Sequence, residues 1–368
     1  MKPRTAVTLG LILILLGVVV WWWSTQRRGG GEVRELKPAT YADIPGWKSV
    51  DLAPALSAFR RSCAGMAAGR YGIFEVSCAV ASTPVRDPRT FFEANFTPYA
   101  IGDGLVTGYY EPLLYASRFP HGRYRTPIYA RPTDLIGVDL GAFRPELAGQ
   151  KIAGRIKDRN LIPYPTRAQI DADPPAAAPV LMYADDPVAV FFLHIQGSGR
   201  VKLDDGRVLR LTYDGQNGQP YTPVGNILVD RYGLSREGMS MQAIRDWLKA
   251  NPAHMREVLE SDASFVFFRE APVADPALGP PGSEGVPLTP EGSIAVDPRF
   301  TAFGMPVFLS GDGLTRLAIA QDTGGAIKGH ARADLFYGFG PKAELAAGGL
   351  KARPDFFVLM PKDAAVSQ

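Results

Sequence analysis

Apolar residues fall along this chain in three ways: one long uncharged run at the N-terminus, a few stretches with helical spacing, and many short runs broken by glycine and proline. The long run extends from Thr5 to Trp23 and closes with Trp21, Trp22 and Trp23. It is long enough to cross a bilayer, and tryptophan favours the membrane–water boundary. Lys2, Arg4 and the amino terminus slightly outweigh Arg27 and Arg28, which predicts a cytoplasmic N-terminus and a body outside. The run lacks a following small-residue cleavage site, and the first cysteine is Cys63. Residues 1–28, with 5–23 as the span, therefore read as an uncleaved transmembrane anchor and not as a signal peptide or a lipoprotein leader.

Gly29, Gly30 and Gly31 open a flexible tether over residues 29–45. Beyond it, Leu52, Leu56, Phe59 and Cys63 share one face of a helix starting near Asp51. Short strands are expected from Phe91 to about Tyr115, including Leu105 to Glu111, which stops at Pro112. A turn-rich stretch runs to about Val180. The apolar run Val188 to Ile195 follows, then a hairpin of Val201 to Leu203 and Val208 to Thr212 around Asp205 and Gly206, and the region reads as mostly β. Two helices come next. One begins after Ser240 and turns Ile244, Trp247 and Leu248 inward; the other is capped by Asn251, with Pro252 in its first turn and Met255, Val258 and Leu259 inward. A strand at Phe265 to Phe268 leads into a Pro/Gly-rich surface loop from Ala271 to Gly292. Short strands recur at Ser293 to Val296, Pro306 to Leu309, Leu317 to Gln321 and Phe356 to Met360, a pattern that predicts a small closed barrel.

Composition narrows the function classes. The chain has 368 residues, 46% hydrophobic and 21% charged, more than one core usually fills, so two domains are expected. A formal charge of +3 with no basic stripe excludes nucleic acid as a partner. His121, His194, His254 and His330 lie at no ligand spacing, so no metal site is expected, and no cofactor motif is present. Cys63 and Cys78 are the only cysteines. They fit a disulfide in an oxidising compartment or two buried thiols equally well.

The densest chemistry lies near the C-terminus, where Asp322-Thr-Gly-Gly-Ala-Ile-Lys-Gly precedes Asp334. Gly324, Gly325 and Gly329 permit positive φ and close ligand approach, while two acids and Lys328 converge there. An Asp beside Gly is commonly only a turn cap, so context must decide. A carboxylic acid that is to donate a proton near neutral pH must have its pKa raised, by burial or by a neighbouring carboxylate. Asp334, followed by Leu335, Phe336 and Tyr337, has the more apolar surroundings, whereas Asp322 beside Thr323 and turn amides is better suited to stay ionised or to brace the turn. Asp297 before Pro298 reads as a turn brace and Glu111 as structural.

Val106-Thr-Gly-Tyr-Tyr-Glu-Pro, His194-Ile-Gln-Gly-Ser-Gly, Ile294-Ala-Val-Asp-Pro and Gln321-Asp-Thr-Gly-Gly-Ala-Ile-Lys-Gly occur in order, and together they resemble the membrane-bound lytic murein transglycosylase A family. The resemblance implies a mainly β fold with few short helices. A double-psi β-barrel would form from residues 46–110 and 266–362, an inserted β-rich domain would occupy residues 111–265, a glycan groove would lie between them, and residues 363–368 would be a tail. It implies a three-aspartate set, Asp297, Asp322 and Asp334, with Asp334 as the catalytic residue and Asp322 and Asp297 supporting it; Lys328 is a further supporting candidate, suited either to meet a muramyl carboxylate or to stay solvated. Thr107, Tyr109, Tyr110, Gln196, Gly197, Ser198, Thr323, Gly324 and Gly325 would line the groove, although each tyrosine is as well suited to core packing. The expected reaction cleaves peptidoglycan glycan strands without water and leaves 1,6-anhydro ends. A two-acid hydrolase using Asp334 and Asp322, and a non-catalytic wall-binding protein, are the alternatives. The expected location is the periplasmic face of a membrane, the inner one favoured by the anchor, with cell-wall synthesis or division complexes as candidate partners.

Overall fold

The computed structural model describes residues 36–66, 72–237 and 239–362. Strands β1 (Lys37–Pro38), β2 (Phe96–Asp103), β3 (Leu105–Glu111), β4 (Leu113–Ser117), β5 (Thr126–Tyr129) and β6 (Ile136–Asp139) come first. Next are β7 (Lys151–Lys157), β8 (Asn160–Pro163), β9 (Val180–Ala184), β10 (Ser198–Leu203), β11 (Val208–Gln216) and β12 (Val266–Ala271). The last are β13 (Ser293–Ala295), β14 (Pro306–Gly311), β15 (Leu314–Asp322), β16 (Arg332–Phe339), β17 (Lys351–Ala352) and β18 (Asp355–Pro361). Two separated stretches of chain build a nine-stranded sheet in the order β1-β2-β18-β14-β15-β13-β16-β3-β17. The intervening chain builds a six-stranded sheet, β12-β11-β10-β4-β9-β5, and a small β6-β7-β8 sheet. The architecture is mainly β. The pairings among the described residues end at the two-residue strands β1 and β17, so closure into a barrel is not among them.

The central strands of the large sheet are apolar almost throughout. β14 and β18 are buried on both faces, as expected of strands covered on two sides. One side carries the helix Ala53–Met66, whose Leu52-led stripe packs with Phe59, Phe74, Phe91, Phe92 and Phe96 into an aromatic cluster continuous with Leu317 and Ile319. Cys63 and Cys78 are disulfide-bonded, with Cα atoms 5.4 Å apart, which decides between the two readings of that pair. The bridge closes a loop with a sequence separation of 15. Removing it through Cys63→Ala and Cys78→Ala together is expected to lower unfolding free energy by about 3 kcal/mol in urea titrations. An unchanged midpoint would show that the loop is held without the bond.

Several expectations are corrected. Residues 37–45, read as tether, belong to the fold: β1 pairs with β2, Ile44 is buried, and the Tyr41 hydroxyl donates to the carbonyls of Phe92 and Phe96. Phe91 and Phe92 lie in the helix Pro88–Asn95, not in a strand, because Asp87 caps it by accepting from the amides of Arg89 and Thr90 and Pro88 starts its first turn. The run Val188 to Ile195 is likewise helical, Pro187–Gln196, capped by Asp186 and ended by Gly197 at φ 74°. Strand β12 pairs with β11, so residues 266–271 complete the second sheet and do not begin the second half of the first. The predicted 5–23 span and the 363–368 tail lie outside the described residues, among which no helix is long and apolar enough to cross a membrane. The two helices at Met241–Ala250 and Pro252–Glu260 and the hairpin β10–β11 stand where the pattern put them.

Candidate active site

The three-residue strand β13 organises the site. Its Ala295 pairs with Asp334 of β16 on one side and with Asp322 of β15 on the other, so a single backbone separates the two acids. On the far side of β16, β3 runs parallel and sets Thr107 opposite Asp334 and Tyr109 opposite Phe336. Side chains at paired positions share a sheet face, which is how residues so distant in sequence meet.

The two carboxylates are treated very differently by their neighbours. Asp322 accepts four hydrogen bonds: from the Ser283 amide, the Ser283 hydroxyl and the Thr323 amide at 2.9 Å each on Oδ1, and from the Tyr109 hydroxyl at 2.9 Å on Oδ2. Burial nevertheless pushes its pKa above the ordinary carboxylate range, against the pull of those donors. This departs from the expectation of an environment that simply favours its ionised form. Asp334 receives one described side-chain donor, the Thr107 hydroxyl at 2.8 Å, which itself accepts from the Arg332 guanidinium at 2.8 Å. Burial pushes Asp334 up to about 6; the Asp322 charge adds to this, while Thr107 and Arg332 pull down. Asp334 thus meets fewer donors that would favour its charged form than Asp322 does. Tyr109 stays a donor, because burial raises its hydroxyl pKa well above the ordinary value.

Asp297 has the opposite setting. Arg299 donates to both its oxygens, at 3.0 and 2.6 Å, and the Gly329 amide donates at 2.9 Å, which holds it near 2. Its contact with the Gly329 amide braces the turn that feeds β16. Of the three turn glycines only Gly329 has positive φ, at 100°; Gly324 and Gly325 do not need that freedom, and an added Cβ at Gly325 would meet open space. Thr323 meets Ser283 through its hydroxyl at 2.8 Å, and Lys328 is exposed. Tyr110 is a core residue: its ring is buried against Ala343 and Ala347, which removes it from the groove-lining set. Gln196 accepts from the Tyr110 amide at 3.0 Å and thereby ties the end of helix Pro187–Gln196 to β3. Gly197 ends that helix and Ser198, half-buried, begins β10.

Glu111, at the end of β3, is fully buried between Arg200 and Arg210. Arg200 Nε donates at 2.8 Å and Arg210 donates through two nitrogens, while both guanidiniums also donate to the carbonyl of Leu278. This cluster joins the two large sheets and the loop between them. Sequence reading missed Arg332, Ser283 and both arginines. Arg332 alone carried a signal, standing two residues before Asp334 and hence on the same strand face.

Residues 105–269 match the MltA specific insert domain and residues 292–360 match the 3D domain. Membrane-bound lytic murein transglycosylase A of Vibrio cholerae is 32% identical over 285 residues, covering 72% of this chain and 69% of that protein. The chain belongs to the MltA family. Among solved MltA-family structures, the membrane-bound lytic murein transglycosylase of Agrobacterium tumefaciens superposes with a TM-score of 0.81 at 31% identity, covering 90% of this chain and 99% of that one. E. coli MltA with bound chitohexaose gives 0.66 at 25% identity, covering 90% and 93%. In MltA-family terms the insert domain spans β3 through most of β12, and the 3D domain holds Asp297, Asp322 and Asp334.

Proposed function

We propose that Asp334 performs both proton transfers of glycosidic cleavage in this chain, a lytic murein transglycosylase acting on peptidoglycan. The acid protonates the O4 of the departing N-acetylglucosamine as the bond to muramic acid C1 breaks. The resulting carboxylate then takes the proton from the muramic acid 6-hydroxyl as that oxygen closes on C1. No water enters, and a 1,6-anhydro ring remains. Ring closure within one sugar is favoured by proximity.

The observation that carries this reading is the unequal provision of donors. Asp334 is half-buried, raised to about 6 and held by one hydroxyl, whereas four donors bind Asp322. A carboxylate so occupied is a poor second base, which argues against two-acid hydrolysis. Asp322 instead fixes Tyr109 and the Ser283 loop beside the acid. Chitohexaose, the ligand of the E. coli relative, is a β-linked N-acetyl sugar oligomer of the kind such a groove takes.

The same reading makes the nine-stranded sheet a double-psi barrel, with the glycan lying between it and the insert. The family name supports a membrane-associated cell-envelope enzyme. The apolar span over 5–23 would hold it to the inner membrane with its body in the periplasm, within reach of cell-wall synthesis or division complexes. Mass spectrometry of digested sacculi tests the chemistry: products are expected one water lighter than reducing-end muropeptides. Normal reducing ends would point to the hydrolase, and no release would point to a wall-binding protein.

A further inference from the structure

The loop over residues 271–292 meets the acid site through one turn, residues 282–286. Gly282 donates to the Val286 carbonyl at 2.9 Å, and Gly285, at φ 93°, donates to the Gly282 carbonyl at 2.8 Å. The turn lies directly on the end of β15, since a Cβ added at Gly282 would stand 2.5 Å from the Gln321 carbonyl oxygen and 3.3 Å from the Asp322 Cβ. Its next two residues serve different partners. Ser283 gives its amide and its hydroxyl to Asp322, at 2.9 Å each. Glu284 donates its amide to the Gln321 carbonyl at 3.0 Å and sends its carboxyl to the helix Ala53–Met66, where the Ser62 hydroxyl donates to Oε2 at 2.7 Å. Ser62 is fully buried and accepts from Gln321 Nε2 at 2.8 Å, while Gln321 Oε1 accepts from the hydroxyl of Ser293, the first residue of β13. A continuous chain of hydrogen bonds therefore leads from the strand between the two acids to Glu284, its last acceptor. Glu284 Oε1 is buried with no hydrogen-bond partner among the described residues. Burial pushes this carboxyl up to about 7 against the pull of Ser62 and Gln321, the two neutral side chains that act on it from the helix and from β15. Below that pH it is the neutral acid, a form that glutamine imitates.

We propose that Glu284 is a positioning residue for the acid pair: anchored on Ser62, it pins the 282–286 turn against β15 so that Ser283 holds Asp322, and through Asp322 it sets how readily Asp334 gives up its proton. The inference rests on the assignment of Asp334 as proton donor. Without the anchor Ser283 leaves, Asp322 loses two of its hydrogen bonds and ionises less readily, and the like charge that raises Asp334 fades. The acids flank one strand and so stand ~10 Å apart, where two charges at an effective dielectric of ~20 interact by about one pH unit. That bounds the effect. The other groups facing the pair, Thr107, Tyr109, Thr323 and Arg332, are untouched in every variant below.

The test follows kcat/KM for anhydro-product release across its falling limb, together with hydrogen exchange at the Ser283 amide, using the full chain. Glu284→Ala is expected to move the limb to lower pH by up to about one unit. It should also speed exchange at Ser283 about tenfold, the loss of roughly one hydrogen bond's worth of protection. Glu284→Gln, which can still accept from Ser62, should keep both at their wild-type values. Ser62→Ala removes the anchor from the helix side, should act as Glu284→Ala does, and decides the matter if that variant fails to fold. In an Asp322→Asn background, Glu284→Ala should move the limb no further. An unmoved limb in Glu284→Ala overturns the proposal whatever happens to the unfolding midpoint, as does unchanged exchange at Ser283 or a limb that moves equally in Glu284→Gln. Asp334→Asn separates this from the assignment beneath it: retained release there faults the aspartate and with it the tuning, whereas an inactive Asp334→Asn with an unmoved limb in Glu284→Ala faults Glu284 alone.

Discussion

Asp334→Asn is expected to lower anhydro-muropeptide release by roughly 10³-fold, within the range contributed by a positioned general acid, while leaving the fold intact. The amide is nearly isosteric and its oxygen can still accept from Thr107, so thermal unfolding should move little. The pH profile gives the sign. The cleavage step requires the protonated acid, and burial raises Asp334 to about 6, so kcat/KM should fall as pH rises through that value. Asp322→Asn removes a like charge that raises Asp334, and the falling limb should then move to lower pH. A variant at 334 that retains wild-type turnover, or a wild-type profile flat from pH 5 to 8, would remove this residue from the chemistry.

The second large effect concerns stability. Glu111→Gln leaves two guanidinium groups buried without a counter-charge, and breaking one partner of such a cluster costs about 3–5 kcal/mol. Urea denaturation at pH 7 should show that loss. Because Glu111 ends the strand that carries Thr107 and Tyr109, turnover should fall even at temperatures where the variant remains folded. The decisive control replaces all three members by apolar residues of similar volume, Glu111→Met with Arg200→Leu and Arg210→Met. That triple variant should recover much of the lost stability, since it leaves no uncompensated charge. If the single substitution costs under about 1 kcal/mol, the cluster is better hydrated than its burial indicates.

Strands with continuous apolar runs and turn signals were legible: β13, β14, β15 and β18 lie where Ser293 to Val296, Pro306 to Leu309, Leu317 to Gln321 and Phe356 to Met360 were read. Caps were under-read. Asp87-Pro88 and Asp186-Pro187 are both helix starts, and each was outweighed by the apolar residues that followed it, whose period does not separate a buried helix from a buried strand. The aspartates themselves were visible in their glycine-rich setting, but not what distinguishes them. Ser283 reaches Asp322 from a stretch with no strand or helix, and Arg200 and Arg210 reach Glu111 across sequence separations of 89 and 99. No local pattern encodes such meetings; they follow from sheet order. Tyr110 shows the converse, since a motif placed it beside Tyr109 while strand alternation turned it to the opposite face and into a helix contact.

The hydroxyl that steadies the acid and the acid itself are separated by 227 positions, with the whole inserted sheet between them. A chain emerging N-terminus first therefore cannot form the Thr107–Asp334 contact until β16 has been made and inserted between β13 and β3.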